Sequence, residues 1–231
     1  MADQLNALPS GASSSSEVLD EGGNCFSKHD PLVTDFAMFR GKRIAIFGGS
    51  FDPPTRGHLG VALNILDEFD IAGVVFIPAA RNPLKPHDTE SEGEDRVEMI
   101  RAMIARYPGL YVSPIEVGRA GPSYTIDTLR EVCAALGDDA RPLLVIGGDC
   151  VPYLSQWRNI DSITSLCEIV AHTRPGYPVE ESPFVTHRCD GGVERYSSTE
   201  VREMLHRGGS VEGMISDEVE EVIQKRELYR S

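Results

Sequence analysis

The first feature of this sequence that could do chemistry is a glycine turn followed by a hydroxyl and an imidazole. It comes directly after a short apolar run at 44–47 and contains Gly48, Gly49, Ser50, Phe51, Thr55 and His58. Glycines let the backbone approach a ligand closely, and the start of a following helix offers N–H groups and a positive dipole end. The chemistry predicted here is phosphate binding, with Thr55 and His58 both pointing at the phosphate.

This turn differs from both common nucleotide-binding loops. No Gly-Lys-Ser/Thr follows a second glycine, and Gly48, Gly49 and Gly57 do not fit the Gly-x-Gly-x-x-Gly spacing. For His58 taken by itself, a capping or core histidine is the alternative interpretation. The complete string from Gly48 to His58 favours a functional one.

A second cationic segment follows the next predicted strand. Arg81 and Lys85 lie among prolines in the loop 79–86, at the carboxyl end of that strand, where open α/β sheets bind ligands. Lys85 is therefore a candidate phosphate clamp. A solvated surface lysine is the alternative.

A run of hydroxyls near the C-terminus could also hold an anion. Ser197, Ser198 and Thr199 precede Arg202 at a predicted helix start, where the helix dipole favours negative charge. Ser197 with Glu200 also fits a capping box, which needs no ligand. Both interpretations can hold together, because caps and anions use neighbouring N–H groups.

Groups suited to a nucleoside follow a fourth predicted strand. Gly147 and Asp149 come at its end, where a carboxylate can accept hydrogen bonds from ribose hydroxyls, and Trp157 offers a flat face to an aromatic ring. Core packing is the alternative for Trp157.

The elements that must position these groups alternate between strands and helices. Strands are predicted at 44–47, 73–78, 110–117, 143–146, 167–172 and 184–187, and helices near 59–69, 94–106, 125–136, 198–207 and 217–228. For the third helix, Ser123 or Thr125 is the predicted cap. One helix separates the first two strands, as a right-handed βαβ unit requires. The sequence predicts an α/β fold with a Rossmann-like, doubly wound, mostly parallel sheet in a single domain.

Composition and charge limit the function classes. The 231 residues are 41% hydrophobic, which suits one α/β domain, and the net charge of −14 argues against nucleic acid or an anionic membrane as a partner. Five cysteines without C-x-x-C spacing argue against a disulfide framework or a zinc knuckle and favour a cytoplasmic setting. Residues 1–40, acidic and poor in large apolar side chains, are predicted to be a flexible tail before a domain at 41–231. A partner-binding arm is the alternative for this segment.

Together these segments resemble the nicotinate-nucleotide adenylyltransferases of the [His/Thr]-x-Gly-His nucleotidyltransferase superfamily. The resemblance covers roughly residues 43–228 and rests on the segments 48–58, 122–129, 147–157 and 196–202 and on the loop to Lys85. It implies that Tyr124 and Thr125 contact the carboxylate of the pyridine ring and that Trp157 stacks on that ring. N–H groups and a hydroxyl at a helix start suit a carboxylate better than a neutral amide.

The resemblance also implies a reaction. ATP and nicotinate mononucleotide would give nicotinate adenine dinucleotide and pyrophosphate, a step of NAD biosynthesis, by in-line attack of an already anionic phosphate. His58 would then contact the migrating phosphoryl group, Lys85 and Arg202 the phosphates, and the hydroxyl run with the glycine turn the pyrophosphate. Mg²⁺ is expected to arrive on the ATP phosphates rather than in a cage of carboxylates.

Three positions depart from the family pattern. Thr55 stands where relatives usually have His, although Thr occurs in kindred enzymes such as phosphopantetheine adenylyltransferase, and Leu84 stands where His often precedes the loop lysine. Without a charge at Thr55, phosphate stabilisation is expected to rely more on Lys85 or Arg56. Arg158 follows the tryptophan where relatives often have an aromatic residue.

Three alternative functions stay open at this point. The first is a sister adenylyltransferase for nicotinamide mononucleotide or phosphopantetheine, which the segment 122–129 and Trp157 disfavour. The second is a non-catalytic nucleotide-binding module, which His58, Lys85 and Arg202 disfavour. The third is an acidic scaffold with a fortuitous motif.

Overall fold

The chain forms two compact units, Met1–Asp30 and Pro31–Ser231. The computed structural model describes residues 30–80, 89–119, 123–137, 139–173, 180–189 and 196–230, together with the backbone of two short strands in the first unit. These strands, β1 (Glu17–Leu19) and β2 (Cys25–Ser27), pair antiparallel.

The second unit is built on a parallel sheet. Its described residues contribute six strands: β3 (Ala45–Gly49), β4 (Val74–Pro78), β5 (Leu110–Val112), β6 (Leu143–Gly147), β7 (Glu168–His172) and β8 (His187–Cys189). The spatial order is β5-β4-β3-β6-β7-β8, and each adjacent pair is parallel. The predicted α/β class and parallel sheet are confirmed.

The order of the strands places a cleft at the centre of the sheet. From β3 the chain moves outward to β4 and β5, then returns to pair β6 with the other side of β3. The connections after β3 and after β6 therefore leave in opposite directions, and open α/β sheets bind ligands at such a switch point. Gly48-Gly49 and Gly147 lie at the carboxyl ends of these two strands.

Helices cover both faces of the sheet. They are α1 (Arg56–Glu68), α2 (Gly93–Ile104), α3 (Thr125–Leu136), α4 (Ile160–Leu166), α5 (Ser198–His206) and α6 (Asp217–Arg226), with 3-10 helices at Phe36–Phe39 and Gly148–Gln156. Alternate residues of a strand point to opposite faces. Ala45 and Phe47 accordingly pack in one hydrophobic core with α1, α2 and α6, while Ile44 and Ile46 pack in the other with α3 and α4. This arrangement is the predicted doubly wound one.

The second unit begins ten residues earlier than predicted. The backbone N–H of Val33 donates to the carbonyl of Val112 at 2.8 Å, and Val33, Phe36 and Phe39 are buried. Phe36 and Phe39 lie three residues apart on one side of a short 3-10 helix, and Val33 precedes its N-cap Asp35, whose side chain accepts from the N–H of Ala37. The expected boundary at residue 41 was wrong because these three apolar residues follow a long acidic segment and are too few to form a periodic pattern.

Several element boundaries also differ from those predicted. β5 ends at Val112 rather than 117, and the last strand lies at His187–Cys189 rather than 184–187. Tyr124, not Ser123 or Thr125, is the N-cap of α3, and its side chain makes no capping hydrogen bond. α4 and the 3-10 helix Gly148–Gln156 were not predicted. Among the described residues, no helix is long and apolar enough to cross a membrane.

Candidate active site

A cavity of about 410 Å³ opens at the switch point between β3 and β6. Its walls come from the carboxyl ends of β3, β6 and β7 and from the N-terminal parts of α1, α3 and α5. The predicted site residues that line it are Gly48, Gly49, Ser50, Phe51, His58, Tyr124, Thr125, Gly147, Asp149, Trp157, Ser197, Ser198, Thr199 and Arg202. Lys85, with Arg81 and Leu84, lies outside the described residues. Segments more than 140 residues apart thus form one site, as expected.

The glycine turn after β3 is shaped by close packing. A β carbon at Gly49 would lie 2.9 Å from Cζ of Phe51, whereas one at Gly48 would meet no atom within 4 Å. Phe51 is buried and has a φ of 50°, in the left-handed region. Gly49 therefore makes room for the Phe51 ring beneath the turn, and the backbone of Gly48 stays accessible from the cavity.

A buried arginine supports this turn from behind. Nη1 of Arg96 donates to the carbonyl oxygens of Ser50 at 2.8 Å and Ala79 at 2.7 Å. Burial lowers the pKa of the Arg96 guanidinium, and the nearby Asp52 carboxylate opposes that effect. Because Arg96 fixes the carbonyls that follow β3 and β4, it ties the two strand ends together. No local pattern indicates this role, since Arg96 falls within an ordinary helical segment.

Thr55 and His58 form a capping box at the start of α1. Thr55 is the N-cap, and its hydroxyl accepts from the N–H of His58. The N–H of Thr55 donates to Nδ1 of His58 at 2.9 Å, and the Thr55 hydroxyl lies 2.9 Å from the same nitrogen. Thr55 is only 2% exposed and does not line the cavity, whereas His58 does. The structure therefore places Thr55 as a residue that positions His58 rather than as a phosphate contact.

The capping box determines which nitrogen of His58 carries the proton. A backbone N–H can only donate, so Nδ1 must accept and a neutral ring holds its proton on Nε2. Aromatic rings fix the rest of the side chain: the ring centroids of Phe51 and Phe47 lie 5.1 and 6.2 Å from that of His58. His58 is thus prepared to donate a hydrogen bond through Nε2. His58 thus takes part in the cap of α1 and lines the cavity, and its contact with a phosphoryl group stays a prediction.

The start of α5 brings three hydroxyls to the cavity, those of Ser197, Ser198 and Thr199. Ser197 is its N-cap and forms the predicted capping box with Glu200. The hydroxyl of Ser198 donates to the carbonyl of Pro53 at 2.8 Å, and Nη1 of Arg202 donates to the carbonyl of Asp52 at 2.7 Å. Two side chains of α5 therefore hold the chain that leaves the glycine turn.

Arg202 also belongs to an ion-pair cluster with Glu90. Nε of Arg202 lies 3.0 Å from one oxygen of Glu90, and Nε2 of His206 lies 2.8 Å from the other. The side chain of Arg202 is 11% exposed and that of Glu90 is 44% exposed. Arg202 therefore reaches the cavity with its orientation set by a partner that sequence reasoning did not identify.

A buried carboxylate anchors the same region. Asp52 is fully buried and accepts hydrogen bonds from the N–H of Glu90, from the N–H and hydroxyl of Ser91, and from the hydroxyl of Tyr229. Burial, followed by the charge of Asp52, raises the pKa of the Tyr229 hydroxyl, so this group stays protonated and donates. The C-terminal segment is in this way bonded, through Tyr229 and Asp52, to the chain that follows the glycine turn.

Part of the cavity is lined by the adjacent carboxyl ends of β6 and β7. Gly147 pairs with His172, and a β carbon at Gly147 would collide with Oδ1 of Asp149. Glycine is therefore required for the Asp149 carboxylate to fold back against the strand end. The buried His172 also lines the cavity, with its ring 5.9 Å from that of Phe47. Sequence reasoning missed His172, although its place as the last residue of a predicted strand was a usable signal.

Aromatic and polar side chains also line the cavity. Among them are Tyr124, Thr125 and Trp157, whose contact with a pyridine ring stays a prediction, and the guanidinium carbon of Arg158 lies 4.6 Å from the centroid of the Tyr124 ring. Glu116, which was assigned to a strand, instead lies in a turn and accepts from the Thr128 hydroxyl at 2.6 Å. Burial raises the pKa of the Glu116 carboxyl, and hydrogen bonds from Thr128 and Ser123 oppose that effect.

The structure gives Arg56 a different partner from the expected phosphate. Arg56, expected as a substitute phosphate contact, donates from Nε to the carbonyl of Ile215 at 3.0 Å and does not line the cavity. Within the described ranges, no group of three or more His, Cys, Asp or Glu side chains could hold a metal ion. The cationic side chains that line the described part of the cavity are Arg158 and Arg202, beside the imidazoles of His58 and His172.

Known proteins share sequence similarity with this chain. The cytidylyltransferase-like family model matches residues 46–204. The nicotinate-nucleotide adenylyltransferase of Bacillus subtilis is 32% identical over 190 residues, which cover 82% of this chain and all of the relative. A protein from Shouchella clausii, named probable nicotinate-nucleotide adenylyltransferase, is 38% identical over 188 residues, covering 81% of this chain and 97% of the relative.

Solved structures share the fold at lower sequence identity. The nicotinic acid mononucleotide adenylyltransferase of Plasmodium falciparum complexed with NaAD has a TM-score of 0.65 and 19% identity. The match covers 81% of this chain and 97% of that one. At this identity the likeness establishes the α/β architecture.

Proposed function

We propose that this chain, which belongs to the nicotinate-nucleotide adenylyltransferase family, transfers the adenylyl group of ATP to nicotinate mononucleotide in the cavity above β3 and β6. The products are nicotinate adenine dinucleotide and pyrophosphate. The enzyme is a nucleotidyltransferase of NAD biosynthesis. Its family membership rests on relatives 32 to 38% identical over most of the chain.

The observation that carries the residue assignment is that two sets of contacting residues line one cavity. In the first set, Ser198 and Arg202 of α5 bond to the carbonyls that follow the glycine turn, so that hydroxyls, N–H groups and a cation are available to phosphates. In the second set, Arg158 lies against the ring of Tyr124, next to Thr125 and Trp157, where an aromatic ring with a polar substituent fits. ATP and nicotinate mononucleotide together carry phosphates for the first set of residues and a pyridine ring for the second.

The chemistry that fits this arrangement is positioning and charge stabilisation. The mononucleotide phosphate is already an anion, so it can attack the α-phosphorus of ATP in line without a strong general base. His58 donates from Nε2 to the phosphoryl oxygens, whose negative charge grows in the transition state. Arg202 and the hydroxyls of Ser197, Ser198 and Thr199 hold the leaving pyrophosphate, and Lys85 is proposed as a further phosphate contact.

We propose that Mg²⁺ enters as the complex with ATP. Phosphate oxygens are the ligands that Mg²⁺ prefers, and the ion shields charge between the triphosphate and the attacking phosphate. The proposed setting is the cytoplasm, and the proposed substrates are these small molecules.

Pyrophosphate release tests the proposal directly. Purified protein is given Mg²⁺ and ATP with nicotinate mononucleotide, nicotinamide mononucleotide or phosphopantetheine in parallel. Strong release with nicotinate mononucleotide is expected, with nicotinamide mononucleotide much weaker and phosphopantetheine at background. Preferred use of either other acceptor would move the assignment to a sister adenylyltransferase. No release with any acceptor would favour a non-catalytic nucleotide-binding module.

A further inference from the structure

Arg158 brings a cation to the part of the cavity that Tyr124 and Trp157 line. It follows Trp157 directly, at the end of the 3-10 helix, and lines the cavity together with Trp157 and Tyr124. Its guanidinium carbon lies 4.6 Å from the centroid of the Tyr124 ring. This geometry is that of a cation–π contact, which holds the flat guanidinium over the ring face.

Among the residues that the structure describes, no carboxylate neutralises the charge of Arg158. Within the described ranges it makes no ion pair with a carboxylate, whereas Arg202, the other cavity arginine, is bound to Glu90 and to the carbonyl of Asp52. A cation–π contact uses the face of the guanidinium and leaves the N–H groups at its edge able to donate. Arg158 therefore presents a positive charge and several N–H donors to the cavity, beside Tyr124 and Trp157.

A buried acid also lines this cavity. Glu116 is 8% exposed, and it accepts a hydrogen bond from Thr128, which in turn accepts one from Arg119 at 2.7 Å. Burial shifts the pKa of Glu116 upward, which disfavours its charged form. The carboxylate of Glu116 is thus held by its own donors, and the charge of Arg158 beside Tyr124 favours a negatively charged ligand group.

We propose that the Arg158 side chain binds the carboxylate on the pyridine ring of the acceptor nucleotide and sets the preference for the acid over the amide. This inference rests on the proposed function, because it assumes that the acceptor's ring lies against Trp157. A carboxylate accepts two parallel hydrogen bonds from a guanidinium, with charge assistance. An amide offers one acceptor oxygen, and its NH₂ group would face the donors of Arg158 without an acceptor between them.

Steady-state kinetics with both acceptors test this role. Arg158→Gln should lower kcat/KM for nicotinate mononucleotide about tenfold to a hundredfold, the range for loss of a hydrogen bond to a charged group. It should change kcat/KM for nicotinamide mononucleotide less than about threefold, so that the ratio of the two collapses, while KM for ATP is unchanged. Arg158→Lys keeps the charge but not the fork and should fall between the wild type and Arg158→Gln.

The matched control is Arg130→Gln. Arg130 lies on α3, is exposed, pairs with Asp127 at 4.0 Å and does not line the cavity. The same loss of one positive charge at that position should leave the acid-to-amide ratio as in the wild type. An equal change of the ratio in both variants would attribute the effect to net charge and would overturn the proposal.

Equilibrium binding provides a readout that does not depend on turnover. Trp157 is the only tryptophan of the chain and lines the cavity, so its fluorescence reports ligand binding beside it. Nicotinate mononucleotide should quench it with a weaker affinity in Arg158→Gln, and nicotinamide mononucleotide with an affinity close to that of the wild type. An unchanged acid-to-amide ratio in Arg158→Gln overturns the role of Arg158 alone, whereas a wild-type protein without adenylyl transfer overturns the proposed function itself.

Discussion

The backbone N–H of Thr55 donates to Nδ1 of His58 at 2.9 Å, and the backbone N–H of His58 donates back to the hydroxyl of Thr55 at 3.4 Å. A glutamate or glutamine usually fills the third position of such a box. With histidine there, the cap that begins α1 also fixes the tautomer and direction of the imidazole. Thr55 does not line the cavity, so any influence that it has on the reaction is expected to act through His58.

The first prediction concerns the hydroxyl of Thr55. Thr55→Val keeps the shape and the backbone N–H but removes the acceptor for His58, so it should lower the free energy of unfolding by about 1 kcal/mol. We also expect kcat to fall about tenfold with little change in either KM, because the loss acts on the direction of Nε2. Thr55→Ser retains the hydroxyl and serves as the matched control. Urea denaturation and steady-state kinetics give both values; a kcat equal to that of the wild type in Thr55→Val would contradict the positioning role.

His58 itself should act on turnover rather than on binding. His58→Ala removes a donor whose bond strengthens as charge develops on the phosphoryl oxygens, so kcat should fall about a hundredfold to a thousandfold. KM for ATP and for nicotinate mononucleotide should change much less. Single-turnover measurements at saturating substrate isolate the chemical step. The opposite pattern, a raised KM with kcat preserved, would reduce His58 to a binding group.

The sequence predicted the fold and many of the residues that line the cavity, because the patterns that indicate them are local. Short β-branched runs, glycine stops and helix caps identified β3, β4, β6 and α5 to within a few residues. The groups it missed act through the tertiary structure. Arg96, Glu90 and His172 meet the site only when strands and helices distant in sequence come together, so their own neighbourhoods look ordinary.

Tertiary contacts also explain why the domain boundary and the partners of Thr55 and Arg56 differ from those predicted. Residues 31–40 pack against β5 through Val33 and Val112, a pairing that no short-range pattern indicates. Thr55 and Arg56 were expected on phosphate because of their residue types, but a cap and a carbonyl of the C-terminal region engage them instead. The residue type determines which hydrogen bonds Thr55 and Arg56 can form, and the tertiary packing determines which groups they bind.

A third prediction concerns the pair of Glu90 and Arg202. The carboxylate of Glu90 competes with the triphosphate for the charge of Arg202, so Glu90→Gln should lower KM for ATP about twofold to fivefold at low salt, a range fitting a half-exposed ion pair. The amide oxygen can still accept from Nε of Arg202, which preserves the orientation of the arginine. Glu203→Gln, an equal charge change on the exposed side of α5, is the control. A raised KM for ATP in Glu90→Gln would mean that the carboxylate is needed to hold Arg202 in place.

A fourth prediction follows from the raised pKa of Glu116. The native state binds this proton more tightly than the unfolded chain does, because burial disfavours the carboxylate. The resulting stabilisation is complete below the ordinary carboxyl pKa of 4.5 and is lost as the pH rises through the higher native value. Glu116→Gln cannot ionise and can still accept from Thr128, so its free energy of unfolding should rise relative to the wild type between pH 4.5 and neutrality. Urea denaturation across that range measures the difference, and a constant or falling difference would contradict the assignment.

The last prediction uses the cysteines to report occupancy of the cavity. Cys150 is half-buried and lines the cavity beside Asp149, whereas Cys167 is buried and lies outside it. Burial raises the pKa of the Cys167 thiol to about 12 and raises that of Cys133 as well, so both should react slowly with a maleimide at pH 8. Cys150 should react faster, and nicotinate mononucleotide with a non-hydrolysable ATP analogue should slow its reaction several-fold. Mass spectrometry of the labelled peptides assigns each rate to its residue, with Cys150→Ser as the control. Protection of Cys133 and Cys167 to the same extent would indicate general stabilisation of the fold instead of a ligand in the cavity.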